Sequence, residues 1–360
     1  MTDDGRQPPF SPPRWRADVY ARRRANLRAR QRITQATRRW FDSEGFTEVD
    51  TPALQVASGG EVHVHPFRTD LRDPHGGPPR TLHLATSPEF AMKKLLVAGE
   101  TQIFQLAHAF RNGERSPLHH PEFTMLEWYR AGGTLEDLQR DCRALVLTAA
   151  HAVEGPETAP KPVVFRDATC EIFGPWETLS VADAFTRYAR IDLLATAPDP
   201  LAPSAELLAP RVQALGLRVA PDDRWEDLFF RVMGAKIEPF LGLDHPTFLT
   251  DYPISLAALA RPKPNDTRLA ERFELYIAGV EIANAFGELG DAAEQRRRFK
   301  ADSALRQRLY GESLPMDEDF LAALEAGLPP SAGIALGFDR LVMLLVGAVH
   351  IEDVLWLPVA

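Results

Sequence analysis

Two arginines, Arg111 and Arg340, have the settings in this 360-residue chain that best suit chemistry on a phosphate. Arg111 opens the polar part of Phe110-Arg-Asn-Gly-Glu-Arg-Ser-Pro-Leu-His-His-Pro-Glu-Phe-Thr-Met-Leu-Glu-Trp-Tyr129. Arg340 stands at the start of an apolar helix that the glycine-spaced turn Gly333-Ile-Ala-Leu-Gly337 runs into. A guanidinium is a planar fork able to hold two phosphate oxygens at once. A helix start adds free N–H groups and a positive dipole end. Either segment alone is a weak signal; both together, in this order, point to a polyphosphate. Phe123 offers a ring to stack on a purine, or it is the core phenylalanine of a salt-bridged hairpin. His119-His120 does not make a metal pair, because neighbours on a strand face opposite ways. A polar contact to nucleotide, or a plain loop, fits them better.

A second constellation is Val280-Glu-Ile-Ala-Asn-Ala-Phe-Gly-Glu288. Glu281 sits in an otherwise apolar strand, where a carboxylate needs a partner because burying it unpaired is costly. An arginine is one such partner. A divalent ion is the other, since Mg²⁺ takes one or two carboxylates plus phosphate oxygens. Glu281 and Glu288 are seven positions apart, so on a straight strand they face opposite sides. If both serve one site the strand must bulge or bend, and Gly287 is the expected place. Gly333 and Gly337 allow backbone to approach a ligand closely; alternatively they pack helix on sheet, leaving Asp339 and Arg340 as surface charges.

The elements that must position these groups are legible in part. Apolar spacing predicts a helix over Val19–Ser43 with an arginine-rich face, stopped at Gly45, and then a short strand from Phe46 to Pro52. His63–Phe67 and Thr81–Ala85 alternate like strands. Thr86-Ser-Pro-Glu89 reads as a helix opening with Ser87 as N-cap. Ile103–Phe110 and Glu122–Tyr129 read as antiparallel strands around a polar loop, residues 111–121. A helix follows over Leu135–Val153, and 154–162 is a turn-rich linker. Helical segments near 180–190, 205–216 and 224–241 suggest an insertion at about 178–243. Strand character returns over 248–254 and 272–285, followed by helices over 292–310 and 319–326. Hairpins with helices grouped outside them argue an α+β fold with a mainly antiparallel sheet. No Gly-x-x-x-x-Gly-Lys-Ser/Thr loop or post-strand Gly-x-Gly-x-x-Gly is present, which disfavours the common parallel-sheet nucleotide folds.

Bulk properties narrow the class. At 45% hydrophobic the chain can bury one large core, or one core plus a small appendage. No run of eighteen apolar residues predicts a membrane span, and residues 1–17 read as a disordered, proline-rich tail and not a secretory signal. Cys142 and Cys170, two in all, are too few for a disulfide framework or zinc site, as befits a cytoplasmic protein with ordinary buried thiols. A net charge of −9 argues against a general nucleic-acid binder. Ten arginines between Arg14 and Arg39 make either a solvated helix face or a docking surface for an acidic protein or RNA.

Taken together, the Arg111 loop, the Glu281 strand and the Arg340 helix resemble motif 2, the metal-binding strand and motif 3 of class II aminoacyl-tRNA synthetases. Gly45-Phe46 through Pro52 resembles motif 1, the dimer-forming segment. Thr86-Ser-Pro-Glu89, His120-Pro-Glu-Phe-Thr-Met-Leu-Glu127 and Arg272-Phe-Glu-Leu-Tyr276 are most similar to the lysyl branch. Motif 1 arrives by Pro52, leaving no room for an N-terminal anticodon-binding domain. The likeness is therefore to the truncated paralogues that attach (R)-β-lysine to elongation factor P. It covers roughly Val19 to Pro358 and implies one catalytic domain over 18–360. It further implies ATP and Mg²⁺, (R)-β-lysine or lysine as substrate, elongation factor P as partner without tRNA, and a homodimer.

By motif, the resemblance implies that Arg111 holds the α-phosphate and Arg340 the γ-phosphate. Phe123 and Arg340 would sandwich adenine, Asn112, Gly113, Glu114 and His120 would line the ATP site, and Ile282 and Gly337 would touch nucleotide through backbone. Glu281 and Glu288 would hold Mg²⁺. Ser87, Pro88, Glu89, Tyr129, Asn284, Glu288 and Ala335 would form the amino-acid pocket, the carboxylates meeting its two ammonium groups. Three positions depart from the lysyl pattern: Gly113 stands where the family has glutamate, with Glu114 next; His120 replaces asparagine; Ala335 replaces glycine.

Overall fold

The computed structural model describes residues 13–57, 60–153 and 161–359. The expected tail lies outside these residues as far as residue 12, and the expected linker from 154 to 160. In chain order the elements used below are α1 (Ala17–Ser43), β1 (Thr47–Glu48), α2 (Glu89–Val97), β2 (Gln102–Phe110), β3 (Glu122–Ala131), α3 (Leu135–Ala152), β4 (Glu177–Ser180), α4 (Ala205–Ala214), α5 (Trp225–Val232), β5 (Thr247–Pro253), β6 (Leu269–Ile277), β7 (Val280–Gly287), α6 (Ala292–Tyr310), α7 (Glu318–Gly327), β8 (Ser331–Gly337) and α8 (Phe338–Leu345). The chain divides into a first unit, Met1–Gly133 with Asp141–Lys161 and Gly290–Ala360, and a second, Thr134–Arg140 with Pro162–Leu289.

In the first unit the strands run in the order β1-β2-β3-β8. The β1/β2 pair is parallel, while β2/β3 and β3/β8 are antiparallel. Alternation along β3 puts Leu126 and Trp128 on one face and Phe123, Glu127 and Tyr129 on the other. The Trp128 face is the core: α1 lays Phe41 flat on Phe104, centroids 4.2 Å apart, and edge-on to Trp128 at 5.5 Å. Leu27, Ile33 and Phe41 of α1 are all fully buried, which accounts for the apolar spacing of that helix. A second aromatic stack, Phe90 of α2 on Phe320 of α7 at 4.3 Å, fixes the opening of α2.

The second unit repeats the mixed pattern, with strand order β7-β6-β5-β4. Its β6/β7 and β5/β6 pairs are antiparallel and β5/β4 parallel. The helical stretch expected near 178–243 lies here: α4 and α5 close on a core of Phe185, Trp225, Phe229, Val232 and Leu249.

Several expectations about these elements differ from the structure. The helix α1 begins at Ala17, two residues early, after a turn at 14–16. His63–Phe67 is not a strand; only His65 makes an isolated bridge, to Asn112. Gly333–Gly337 is not a turn but the strand β8, paired along its length with β3. A Cβ at Gly337 would meet only the Arg340 side chain, at 3.5 Å, so the glycine leaves open surface beside that arginine. Asp339 is not a surface charge. It is 1% exposed, accepts the backbone N–H of Thr124 at 2.7 Å and pairs with Arg30 of α1. Arg30 also donates to Thr124 Oγ1 at 2.9 Å, so one charged cluster ties α1, β3 and α8 together.

Breaking a buried pair strands its partner without compensation. Asp339→Ala should therefore cost about 3–5 kcal/mol, read as a lower urea midpoint by tryptophan fluorescence. Replacing both partners with apolar residues (Arg30→Met with Asp339→Leu) should recover part of that loss. A single variant as stable as wild type would show that the pair does not hold α1.

Candidate active site

On the first unit's sheet, the face opposite the core carries the side chains expected to meet phosphate. Cross-strand register places Ala109 beside Phe123, Ala107 beside Met125 and Gln105 beside Glu127 on one side. On the other side Gly337, Ala335 and Gly333 stand beside Met125, Glu127 and Tyr129. Small residues thus floor the face around a few long polar side chains. Arg111 continues the parity of β2 onto this face. Its guanidinium lies over the Phe123 ring, 5.3 Å from the centroid, and its Nε donates to the Thr86 carbonyl at 3.4 Å.

Gly113 takes a φ of +83°, a left-handed turn that glutamate, the family's residue there, would enter only with strain. The carboxylate is carried instead by Glu114, 4.0 Å from Arg111 Nη1. Arg340, in the first turn of α8, turns toward the same loop. It donates from Nη2 to His119 Nε2 at 2.6 Å and from Nε to the Leu118 carbonyl at 3.3 Å. The His119 pKa is held down to about 4 by burial, then by the charges of Arg340 and Arg111. A neutral His119 can accept from Arg340 while its Nδ1–H faces Ser116 Oγ at 2.7 Å. His120 is 3% exposed and has both ring nitrogens on backbone, at the Glu122 carbonyl and the Val359 N–H.

Beside this cationic end lies a carboxylate pocket. Glu127, on β3, is wholly buried and accepts from Ser87 Oγ at 2.6 Å and Tyr129 OH at 2.9 Å. Glu89, in the first turn of α2, pairs with buried Lys93 at 2.5 Å. Ser87 is not the helix N-cap; Pro88 holds that position. Ser87 Oγ accepts the Glu89 N–H at 3.0 Å and spends its own proton on Glu127. Glu127 and Lys93 are site residues that the sequence reading missed. Strand parity was the signal for Glu127, since a residue two before Tyr129 shares its face. Ala335 sits directly across from Glu127.

In the second unit, β6 and β7 form a hairpin whose turn, Ala278-Gly279, has φ of +52° and +74°, the I′ type that matches strand twist. The register steps from Leu275↔Ala283 to Tyr276↔Glu281, leaving Ile282 without a partner. The expected bulge exists, but at Ile282 and not Gly287. One extra residue reverses the parity: Glu281 now shares a face with Asn284 and Phe286, and with Arg272, Glu274 and Tyr276 across the hairpin. Glu288 continues the same parity, is 4% exposed and bridges to Ala260. Gly287 is glycine for another reason: a Cβ there would lie 2.2 Å from Glu271 Oε2, where the Glu271–Arg261 pair crosses the strand.

Asn284 is oriented by Arg272, whose Nε donates to its Oδ1 at 3.2 Å. Arg272 is itself fixed by Glu274 at 2.7 Å and by stacking over Tyr252 at 4.2 Å. Among the described residues no cluster of three His, Cys, Asp or Glu groups forms a self-sufficient metal cage. Two carboxylates on one face instead suit Mg²⁺, which completes its shell with water and phosphate oxygens.

With this geometry in hand, comparison with known proteins is direct. The chain belongs to the class II tRNA synthetase family: the family model described as tRNA synthetases class II (D, K and N) matches residues 14–360. Among curated relatives, the elongation factor P–(R)-β-lysine ligase of Proteus mirabilis is 39% identical over 337 residues, 93% of this chain and 95% of that protein. The enzyme of the same name from Vibrio cholerae is 39% identical over 93% of this chain and 95% of its own length. A lysine–tRNA ligase of Dehalococcoides mccartyi is 38% identical over 93% of this chain and 64% of its own length. The α+β fold and the ATP-dependent ligase class expected from the three motifs are borne out.

The Glu127 carboxyl is pushed up to about 8, first by burial, then by the Glu89 charge, against the hydrogen bonds of Ser87 and Tyr129 and the charge of Lys93. The native value lies above that of an unfolded glutamate, about 4.3. The stability it contributes is thus full below that value and lost as pH rises through about 8. Glu127→Gln, which cannot ionise, should gain on wild type between about pH 5 and pH 9, by a few degrees of thermal midpoint at the alkaline end. A pH-independent difference would show that Glu127 ionises normally.

Proposed function

We propose that this chain uses ATP to activate (R)-β-lysine, or lysine, as an aminoacyl-adenylate and transfers the acyl group to a lysine side chain of elongation factor P. The observation that carries the reading is the buried acidic pocket of Glu127, Glu89, Ser87 and Tyr129, set on the same sheet face as Arg111. An amino acid with two ammonium groups complements two carboxylates, and a cationic end beside them suits the phosphates of ATP. The names of the relatives matched along nearly their whole length support (R)-β-lysine and elongation factor P.

In the first step a carboxylate oxygen of the amino acid attacks the α-phosphorus, the bond to the bridging oxygen breaks, and pyrophosphate leaves. Negative charge grows on the phosphoryl oxygens, where Arg111 meets the α-phosphate and Arg340 the γ-phosphate; such preorganised charge is usually the largest catalytic contribution. Glu281 and Glu288 would hold Mg²⁺, which when bound supplies charge neutralisation at the phosphates. Phe123 stacks on adenine, with Arg340 on its other face, and Asn112, Gly113 and Glu114 line the nucleotide. The family resemblance assigns backbone at Ile282 and Gly337 to the nucleotide, and Asn284 and Pro88 to the amino acid. No protein nucleophile is required, since binding aligns the reactants. In the second step the neutral ε-amine of the partner's lysine attacks the acyl carbon. AMP leaves and the amine's extra proton passes to water. A homodimer built on the Gly45–Pro52 segment, a cytoplasmic setting and action without tRNA belong to the same reading.

Arg111→Ala should lower amino-acid-dependent ATP–pyrophosphate exchange by at least about 100-fold while the protein stays folded; near-normal exchange would remove Arg111 from the site. Ala335→Gly deletes the methyl facing Glu127, and should shift the preference between L-lysine and (R)-β-lysine toward L-lysine by roughly tenfold. One observation favours a tRNA-charging alternative, the 38% identity to a lysine–tRNA ligase. Offering labelled adenylate to elongation factor P and to tRNA separates the two.

A further inference from the structure

Loop 111–121 is gripped from a second side, by the segment 351–359. The Ile351 N–H donates to the Pro117 carbonyl at 2.8 Å. Arg115 Nη2 donates to the Val359 carbonyl and to Glu352 Oε1, both at 2.9 Å. Glu352 is 2% exposed and is held in turn by Arg14 at 2.6 Å. The Val359 N–H donates to His120 Nε2 at 3.2 Å, and His120 Nδ1 meets the Glu122 carbonyl at 2.5 Å. The Glu122 N–H also reaches Nδ1, at 3.4 Å. Both ring nitrogens are then committed. Both the N–H and the carbonyl of Val359 end on residues of the one loop that carries Arg111 at its start and His119 near its end.

We propose that segment 351–359 is a strap that holds loop 111–121 in its phosphate-binding conformation, and that His120 is a positioning residue acting through the Val359 N–H and not a nucleotide contact. This rests on the ATP-dependent reading above. A loop held in place before the nucleotide arrives spares the entropy of ordering it on binding. Cutting the strap transfers that cost to ATP. Asparagine, the lysyl residue at this position, is a shorter side chain than histidine and does not span the same two backbone groups.

The test uses the full chain with His120→Ala, Val359→Pro and the double variant. Val359→Pro deletes the strap's N–H, while its ring also fixes φ and restricts Pro358, at a residue that is 47% exposed. Each single variant should raise the ATP KM roughly tenfold, the scale of one buried hydrogen bond, leaving kcat and the amino-acid KM within about twofold. The double variant should be no worse than either, because both cut one link. Without nucleotide, hydrogen–deuterium exchange at loop amides 111–120 should quicken in all three. His120→Gln, which keeps a donor and an acceptor, should restore part of the effect.

A raised ATP KM for His120→Ala alone, with Val359→Pro unchanged, would make His120 a nucleotide contact and overturn the strap. Additive effects, or unaltered loop exchange, would overturn it equally. If His120→Ala fails to fold, Val359→Pro decides alone. Wild-type protein inactive with every acid offered would refute the ATP-dependent reading, while the exchange data would still decide the strap.

Discussion

The ion pair between Arg30 and Asp339 is the constraint on which the first unit is built. Asp339 takes Arg30 with one oxygen and the Thr124 N–H with the other, so a helix, a strand and a second helix share one carboxylate. Arg340 is its chain neighbour, and Thr124 lies between Phe123 and the pocket residues of β3. A shift of Asp339 would therefore move Arg340 and the Phe123 ring, the proposed phosphate and purine contacts, together. Isolated buried pairs are weak sources of stability, but removing one member is severe. That asymmetry makes such a pair a good aligner: it contributes little net energy yet admits few alternative arrangements.

The carboxylate pocket shows the same economy of placement. Glu127 is sunk among small residues and hydroxyl donors, and Glu89 is balanced by Lys93. The pocket is thus close to electrically neutral by itself near pH 7, because Glu127 keeps its proton. Two carboxylates without that proton and that lysine would repel each other and the phosphates nearby. A cation placed beside Glu127 would lower the pKa of that carboxyl.

What was legible in the sequence follows from range. Helices α1 and α6, the hairpin of β2 and β3, and the arginines at a strand end and a helix start depend on local periodicity and flanking residues, and these could be read. The strand β8 could not, because its glycine spacing looks like a turn until β3 is known to pair with it. Glu127 was visible only through parity with Tyr129. The Asp339 network and the Val359–His120 link join residues separated by hundreds of positions, and no local pattern carries them. The Gly113 departure became intelligible once its backbone was seen to be left-handed: the position demands conformational freedom, and the carboxylate is displaced by one.

The bulge at Ile282 makes the pairing of a strand chemically significant. Because one unpaired residue brings Glu281 round to the face of Asn284 and, by parity, Glu288, the pairing between the two glutamates matters as much as their identity. What the face requires is agreement between spacing and pairing. Removing Ile282 would leave a regular ladder, with Tyr276 still opposite Glu281 and Leu275 opposite Ala283, and Glu281 on the same face. Straightening the bulge without losing a residue, so that Ile282 takes the place opposite Tyr276, would instead turn Glu281 to the opposite face with every side chain intact. The hairpin therefore tolerates a change of length at the bulge far better than a change of pairing beside it.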